Sequence, residues 1–176
     1  MHQLLLNREI YTEFMQKHLP QARHHVWIVT ADIKDLYVEH HGSFVPFLEV
    51  ISDLVSEGVA VRLIHAKEPG PRFREDFDRY ENLINNELFE RILCPRVHTK
   101  AIVIDNKKAF VGSANLTGAG LGAKHQHKRN FEAGFLFDEP EAIKKLVDWV
   151  DQLYLGDYCL DCKRRDFCPD PIIDNV

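Results

Sequence analysis

A strand-helix-strand pattern near the N-terminus is the feature that most restricts the fold. Residues 25–30 form a buried-type apolar strand, and 59–66 form a second strand rich in β-branched residues. Between them, Ser43 is a candidate cap for a helix with one apolar face, which ends at Gly58. Strands joined through a helix favour parallel pairing. We therefore predict an α/β fold with a mixed, mostly parallel β-sheet flanked by helices on both sides.

Other segments show helical or strand periodicity as well. Helices are predicted at residues 7–19, 72–86 and 139–154, and strands at 88–94, 99–104, 109–111 and 131–137. The polar residues 105–108 are typical of a hairpin turn between two of these strands.

The length and composition limit the class of protein. The 176 residues suit one domain, and we assign residues 1–155 to a catalytic domain and 156–176 to a cysteine-rich, metal-binding tail. The net charge of -5 argues against a uniformly basic surface for nucleic acid. The N-terminus lacks the apolar core and cleavage site of a secretory signal, and no apolar run is long enough to cross a membrane. A cytoplasmic location is expected.

The predicted hairpin carries a cluster of reactive side chains. His98 and Lys100 are two residues apart, so they project to the same face of a strand. The return strand brings Ser113 and Asn115 back beside them. An imidazole nucleophile with ammonium and amide donors suits attack on a phosphodiester, and such chemistry needs no catalytic metal.

The spacing of these residues resembles a known signature. The order is His98-x-Lys100, four residues, Asp105, six residues, and Gly112-Ser113-x-Asn115. This resembles the motif of the phospholipase D superfamily, and Asn130-x-Glu132 and the helix-to-strand junction at 57–64 extend the resemblance over roughly residues 20–155.

The resemblance implies an activity for the chain and a role for each motif residue. The chain has one motif copy and is similar to the small endonucleases of the superfamily, which dimerise to complete one site. One His98 would become a phosphohistidine, and the other would protonate the leaving oxygen. Lys100 and Asn115 would bind phosphate oxygens, Ser113 would support them, and Glu132 would orient the imidazole. Asp105 completes the candidate site, although its place in a turn favours fixing the hairpin.

A basic segment separates the motif from Glu132. It contains Lys124, Lys128 and Arg129, with His125 and His127 between them. These side chains fit the rim of a nucleic-acid groove or an ordinary solvated loop equally well. As the partner we expect a nucleic acid, DNA rather than RNA, in addition to a second copy of the chain and no membrane.

Three cysteines crowd the tail. Cys159-x-x-Cys162, five residues and Cys168 have the compactness of a metal site, and Cys94 is a candidate fourth thiolate. A tight trio with one distant cysteine resembles the iron-sulphur site of some DNA-processing nucleases. The expected cofactor is therefore structural, either a 4Fe-4S cluster or zinc, and none is expected for catalysis.

Two other functions are compatible with the same motif. The first is lipid chemistry, as in a phospholipase or a phosphatidyltransferase, although no amphipathic membrane anchor is evident. The second is a non-catalytic nucleic-acid-binding module, which the intact His98, Lys100 and Asn115 disfavour.

Overall fold

The structure, a computed structural model, describes residues 2–34 and 36–172. The strands are β1 His2–Leu6, β2 His25–Thr30, β3 Tyr37–His40, β4 Ser43–Pro46, β5 Ala60–His65, β6 Phe89–Leu93, β7 Lys100–Ile104, β8 Lys108–Gly112 and β9 Ala133–Phe137. The helices are α1 Phe47–Ser56, α2 Pro71–Phe77, α3 Glu81–Asn85 and α4 Pro140–Leu155, with a π-helix at Ile10–Met15 and short 3-10 turns at Leu19–Gln21, Gln126–Lys128 and Arg165–Phe167. The last four residues of the predicted tail, 173–176, lie outside the described residues.

A seven-stranded sheet in the order β1-β9-β8-β7-β2-β5-β6 forms the centre of the molecule, beside a separate β3-β4 hairpin. The predicted strand-helix-strand unit is present, because β2 and β5 pair in parallel and α1 lies between them in sequence. β5 also pairs in parallel with β6. The mixed α/β sheet is confirmed. The ratio of parallel to antiparallel pairs differs from the prediction, since the other four pairings within the seven-stranded sheet are antiparallel.

Apolar side chains fill a layer on each face of the sheet. On one face, α1 and the π-helix pack Ile51, Leu54 and Phe14 against inward residues of the strands. On the other face, α4 packs Ile143 and Val150. Helices therefore cover both faces, as predicted. The core encloses the sheet but leaves its ends open to side chains from the connecting loops.

The region before α1 differs from the prediction. Ser43 does not cap a helix; it begins β4, where it pairs with His40 of β3. His41 and Gly42 both have positive φ angles, of 49° and 78°, which suits a tight hairpin turn. The cap prediction was wrong because this turn places Ser43 in a strand and delays the helix to Phe47.

The predicted helix at 7–19 is present, but its central residues form a π-helix, which is wider than an α-helix. Residues Ile10–Met15 are π-helical, and the Gln16 amide donates to the Tyr11 carbonyl at 2.9 Å. The preceding strand β1 was not predicted. It adds to the edge of the sheet against β9, with Leu4 opposite Phe135 and Leu6 opposite Ala133.

No helix in the described ranges is long and apolar enough to span a bilayer.

His65 is a buried titratable group within this fold. It is 0% exposed at the end of β5, with Nδ1 at 2.8 Å from the Lys67 carbonyl, and Arg91 Nε donates to its Nε2 at 2.8 Å. Burial, with help from the Arg91 charge, lowers the pKa of His65 to about 4. The folded protein therefore holds a neutral ring at pH values where an unfolded chain binds a proton.

We expect the free energy of unfolding to fall as the pH drops from about 6.5 towards about 4, because only the unfolded state gains this proton. The His65 contribution is about 3 kcal/mol over that range. Urea unfolding at pH 7 and pH 5 captures about 2 kcal/mol of it, with His65→Gln as the comparison. An equal loss of stability in both proteins would contradict the assignment.

Candidate active site

His98 and Lys100 lie at one end of the sheet. Lys100 is the first residue of β7 and pairs with Gly112, the last residue of β8. Its ammonium donates to the His98 carbonyl at 2.7 Å. The His98 side chain is exposed. The structure therefore presents an accessible imidazole next to a lysine whose ammonium is held against the backbone of His98.

Two glycines allow the strands to approach closely at this end. Gly112 pairs with Gly134 of β9, so Lys100, Gly112 and Gly134 form a row across three strands. A Cβ atom on Gly112 would stand 2.6 Å from the Ala133 carbonyl oxygen, and one on Gly134 would stand 2.5 Å from the Phe110 ring. Only glycine fits at either position. His98, Ser113 and the start of β9 are consequently drawn to the same sheet end.

Ser113 and Glu132 meet directly beyond this row. The Ser113 hydroxyl donates to Glu132 Oε2, and the Ala133 amide donates to the Ser113 oxygen at 3.1 Å. Glu132 Oε1 accepts from the Asn130 side-chain amide at 3.1 Å. Both carboxylate oxygens of Glu132 thus have partners here. Its closest motif neighbour is Ser113, through which it joins the His98 end of the hairpin.

The N-terminal segment supports Glu132 from the other side. The Asn7 side-chain oxygen accepts from the Glu132 backbone amide at 3.1 Å, and the Asn7 backbone amide donates to the Glu132 backbone carbonyl at 2.8 Å. Sequence reasoning missed this support, because nothing in the spacing of the chain links Asn7 to a residue 125 positions away.

Asn115 is anchored to the end of β2. Its side-chain oxygen accepts from the Asp32 amide at 3.1 Å, which leaves the amide nitrogen as the end that can donate to an anion. The loop also folds tightly over it, since a Cβ atom on Gly120 would stand 2.7 Å from the Asn115 carbonyl oxygen. This pairing fixes the orientation of the Asn115 amide.

Asp32 is a further site-end residue that the sequence did not indicate. Its carboxylate lies 3.4 Å from the Lys34 ammonium and 3.3 Å from the Lys67 ammonium. Both lysine side chains are mostly exposed. Together with the Asp32 carboxylate that they share, they leave a net charge of about +1 at this end of β2. In the sequence, the signal for these residues is a basic residue after each of two predicted strands. It becomes informative only once the parallel pairing of β2 and β5 is known.

Asp105 lies at the opposite end of β7 from His98. Its carboxylate accepts from the backbone amides of Arg23, His24 and His25 at 2.8–3.2 Å. Burial opposes ionisation, but these three donors hold the pKa of Asp105 below its usual value. Asp105 therefore ties the hairpin turn to the start of β2 and does not contact the other motif residues.

The basic segment is exposed beside the site. Lys124 and Lys128 are exposed, and Arg129 is half-buried with its Nε donating to the Lys124 carbonyl. The His125 and His127 rings stack with centroids 5.7 Å apart. The segment continues into Asn130 and Glu132, so these charges border the His98 end of the sheet.

The four cysteines converge on one cavity. Cys94, Cys159, Cys162 and Cys168 all line a space of about 350 Å³ between α4, the tail and the segment after β6. His98 lines the same space. Cys94, the candidate fourth thiolate, thus lies at the same cavity as the three tail cysteines.

The sequence model of the family described as Cardiolipin synthase, PLD-like domain, matches residues 15–154. This range is most of the chain and includes every residue of the candidate active site except the supporting Asn7. The chain therefore belongs to this family, within the phospholipase D superfamily of phosphodiesterases. The cysteine-rich tail lies beyond the matched range. No curated protein matches the sequence significantly.

Solved structures share the fold at low sequence identity. NucT from Helicobacter pylori is 18% identical, with 88% of this chain and 95% of that chain covered and a TM-score of 0.62. The phospholipase D family member Nuc from Salmonella typhimurium is 14% identical, with 88% and 93% covered and a TM-score of 0.62. TrmBL2, an archaeal chromatin protein described with a novel mode of DNA binding, is 12% identical, with 87% and 51% covered and a TM-score of 0.58. These similarities establish the fold.

Proposed function

We propose that the protein is an endonuclease that hydrolyses phosphodiester bonds of nucleic acids through a phosphohistidine intermediate. The observation that carries the proposal is the meeting of an exposed imidazole, an ammonium and an oriented amide at one sheet end, from His98, Lys100 and Asn115. These groups supply a nucleophile and donors for the phosphate oxygens.

The reaction needs two histidines in opposite roles. In the first step His98 of one copy attacks phosphorus and the bond to the leaving oxygen breaks, while His98 of the second copy donates a proton to that oxygen. In the second step the same second histidine takes a proton from water, and the resulting hydroxide attacks phosphorus and releases the first imidazole. Lys100 and Asn115 stabilise charge on the phosphate oxygens in both steps. Ser113 and Glu132 support these groups.

The second histidine comes from a partner chain because the chain has one motif. An apolar surface beside the site suits a second copy. It consists of Leu4, Leu6, Phe131 and Phe135, which we call the edge patch, and each side chain is about half exposed or more. Leu6 lies opposite Ala133, the residue after Glu132. Contiguous exposed apolar side chains of this kind mark association surfaces, and here the surface adjoins an incomplete site.

The charges around the site favour a polyanionic substrate. Lys34 and Lys67 lie at the sheet end, and Lys124, Lys128 and Arg129 border it. Successive phosphates of a nucleic acid can contact such dispersed cations, whereas a phospholipid headgroup presents one phosphodiester. The DNA binding described for TrmBL2 is in keeping with this choice, and we propose DNA over RNA.

The purified protein is expected to cleave labelled single-stranded or duplex DNA in the presence of EDTA, because the proposed chemistry uses no metal. Parallel incubations with RNA and with phosphatidylcholine or cardiolipin vesicles test the substrate class. Cleavage of lipid without cleavage of nucleic acid would replace the nuclease by a lipid enzyme. A strict requirement for added Mg²⁺ would contradict the phosphohistidine mechanism.

A further inference from the structure

The cysteine cavity has the composition of a closed thiolate site. Its wall is formed by the four cysteines of the chain, all of them free thiols, together with apolar side chains such as Val97, Trp149 and Leu153. Four sulfur ligands in an apolar pocket leave no position for substrate, which is typical of a structural metal site. The active site described above does not use these thiols.

The spacing of the sulfur atoms distinguishes the two candidate groups. Four thiolates around one zinc ion, with bonds of about 2.3 Å, stand about 3.8 Å apart. No three of these four thiols, all of which lie in the described part of the chain, have sulfur atoms mutually within 4.8 Å. A cluster of four iron atoms separates its thiolates more widely than one ion does. The cavity of about 350 Å³ that the four thiols line has room for the larger group.

Positive groups around the cavity favour bound thiolates. Arg96, Arg164 and Arg165 line the same cavity as the four cysteines. Their charges would offset the negative charge of thiolates that have lost their protons to a bound metal.

We infer that Cys94, Cys159, Cys162 and Cys168 hold a 4Fe-4S cluster that fastens the C-terminal tail to the strand end carrying His98. Protein contacts already outline this attachment. Asp170 accepts from the Leu93 amide at 3.1 Å, and Arg164 donates to the Pro95 carbonyl at 3.0 Å. The Cys168 thiol also donates to the Leu93 carbonyl at 3.9 Å. A cluster bonded to Cys94 and to the three tail cysteines would add covalent links to this attachment.

The attachment reaches His98 through a short turn. The Val97 amide donates to the Cys94 carbonyl at 2.9 Å, and His98 is the next residue. The Cys94 amide in turn donates to the His65 carbonyl at 2.9 Å. Fixing the Cys94 sulfur therefore fixes the start of the turn that aims the His98 imidazole. In this role Cys94 is a positioning residue for the proposed nuclease.

The test is metal analysis of the full chain after anaerobic reconstitution with iron, sulfide and dithiothreitol. We expect about four iron atoms and about four acid-labile sulfides per chain. Cys94→Ser and Cys162→Ser are each expected to lower this to below about one. Asp161→Asn, an exposed residue between two of the ligands, is the matched control and is expected to load fully.

Hydrogen exchange separates the positioning role from mere metal binding. Loading is expected to slow exchange of amides in residues 94–100 and 156–172 by about tenfold or more in wild type, and not in Cys94→Ser. One zinc per chain with no iron, or no bound metal, would overturn the cluster. Slowed exchange only in the tail would overturn the link to His98. A His98→Ala variant is expected to load normally, so a failure of the nuclease proposal would leave the cluster result intact.

Discussion

Replacement of His98 by alanine is expected to abolish phosphodiester cleavage, with a loss of about 10⁴-fold or more, as for the removal of other covalent nucleophiles. The imidazole is exposed, and its side chain carries none of the core packing, so the melting temperature should remain close to that of wild type. Trapping a labelled DNA fragment on the wild-type protein by an alkaline denaturing quench, which preserves the bond between phosphorus and the imidazole nitrogen, and its absence in His98→Ala, identify the residue as the nucleophile. Full activity of His98→Ala would refute the mechanism.

Mixing the wild-type protein with His98→Ala tests whether the active site is shared between two chains. In an equal mixture of exchanging subunits, about one quarter of the dimers carry two wild-type chains. Because both histidines are needed in one site, only these dimers are active, and the activity per wild-type chain falls by about half. Independent sites would show no such fall. The dependence on the mixing ratio is therefore quadratic for a shared site and linear for separate ones.

Introducing charge into the edge patch is the second large perturbation. Leu4→Glu combined with Phe135→Glu is expected to convert the dimer to a monomer, because the carboxylates would have to be buried unpaired at the contact. Activity should fall by about 100-fold or more with it, since each monomer holds only one of the two histidines. Light scattering coupled to gel filtration reports the mass, and the cleavage assay reports the site.

A matched control comes from another exposed apolar residue. Ile84 is 53% exposed on α3, close to the 54% of Phe135, and lies away from the site end of the sheet. Ile84→Glu is expected to leave both mass and activity unchanged. A patch variant that is monomeric yet fully active would show that one chain completes the site. One that remains dimeric would place the interface elsewhere.

The hairpin residues could be predicted because their relation is local. His98 lies two residues before Lys100, the first residue of β7, and a short turn fixes the return of Ser113. The turn itself is explained by Asp105 and Asn106, both of which have φ angles of 53°. The attachment of Asp105 to the residues before β2 could not be predicted, since it depends on which strand pairs with β7.

The remaining features depend on contacts between distant segments. The β3-β4 hairpin displaced the predicted cap at Ser43, because local cap preference is weaker than strand pairing in the folded chain. β1 went unnoticed, as three adjacent leucines show no alternation, although Leu5 alone is buried. The Asp32 anchor of Asn115 likewise joins residues 83 apart in sequence. The motif thus identified the reacting groups, and the long-range contacts determine how they are held.

The pairing of Asn7 with Glu132 sets an order of assembly for the site. Ribosomes release β1 before β9, so β1 has no strand to join until β9, whose Ala133 pairs with Leu6, has been made. Contacts of such high sequence separation form late and raise the folding barrier. The β7-β8 hairpin beside His98 can form earlier, but the Glu132 carboxylate cannot take its supporting position until β1 and β9 have paired. In a chain with this topology, the support for the candidate active site is completed only after β9 has been synthesised.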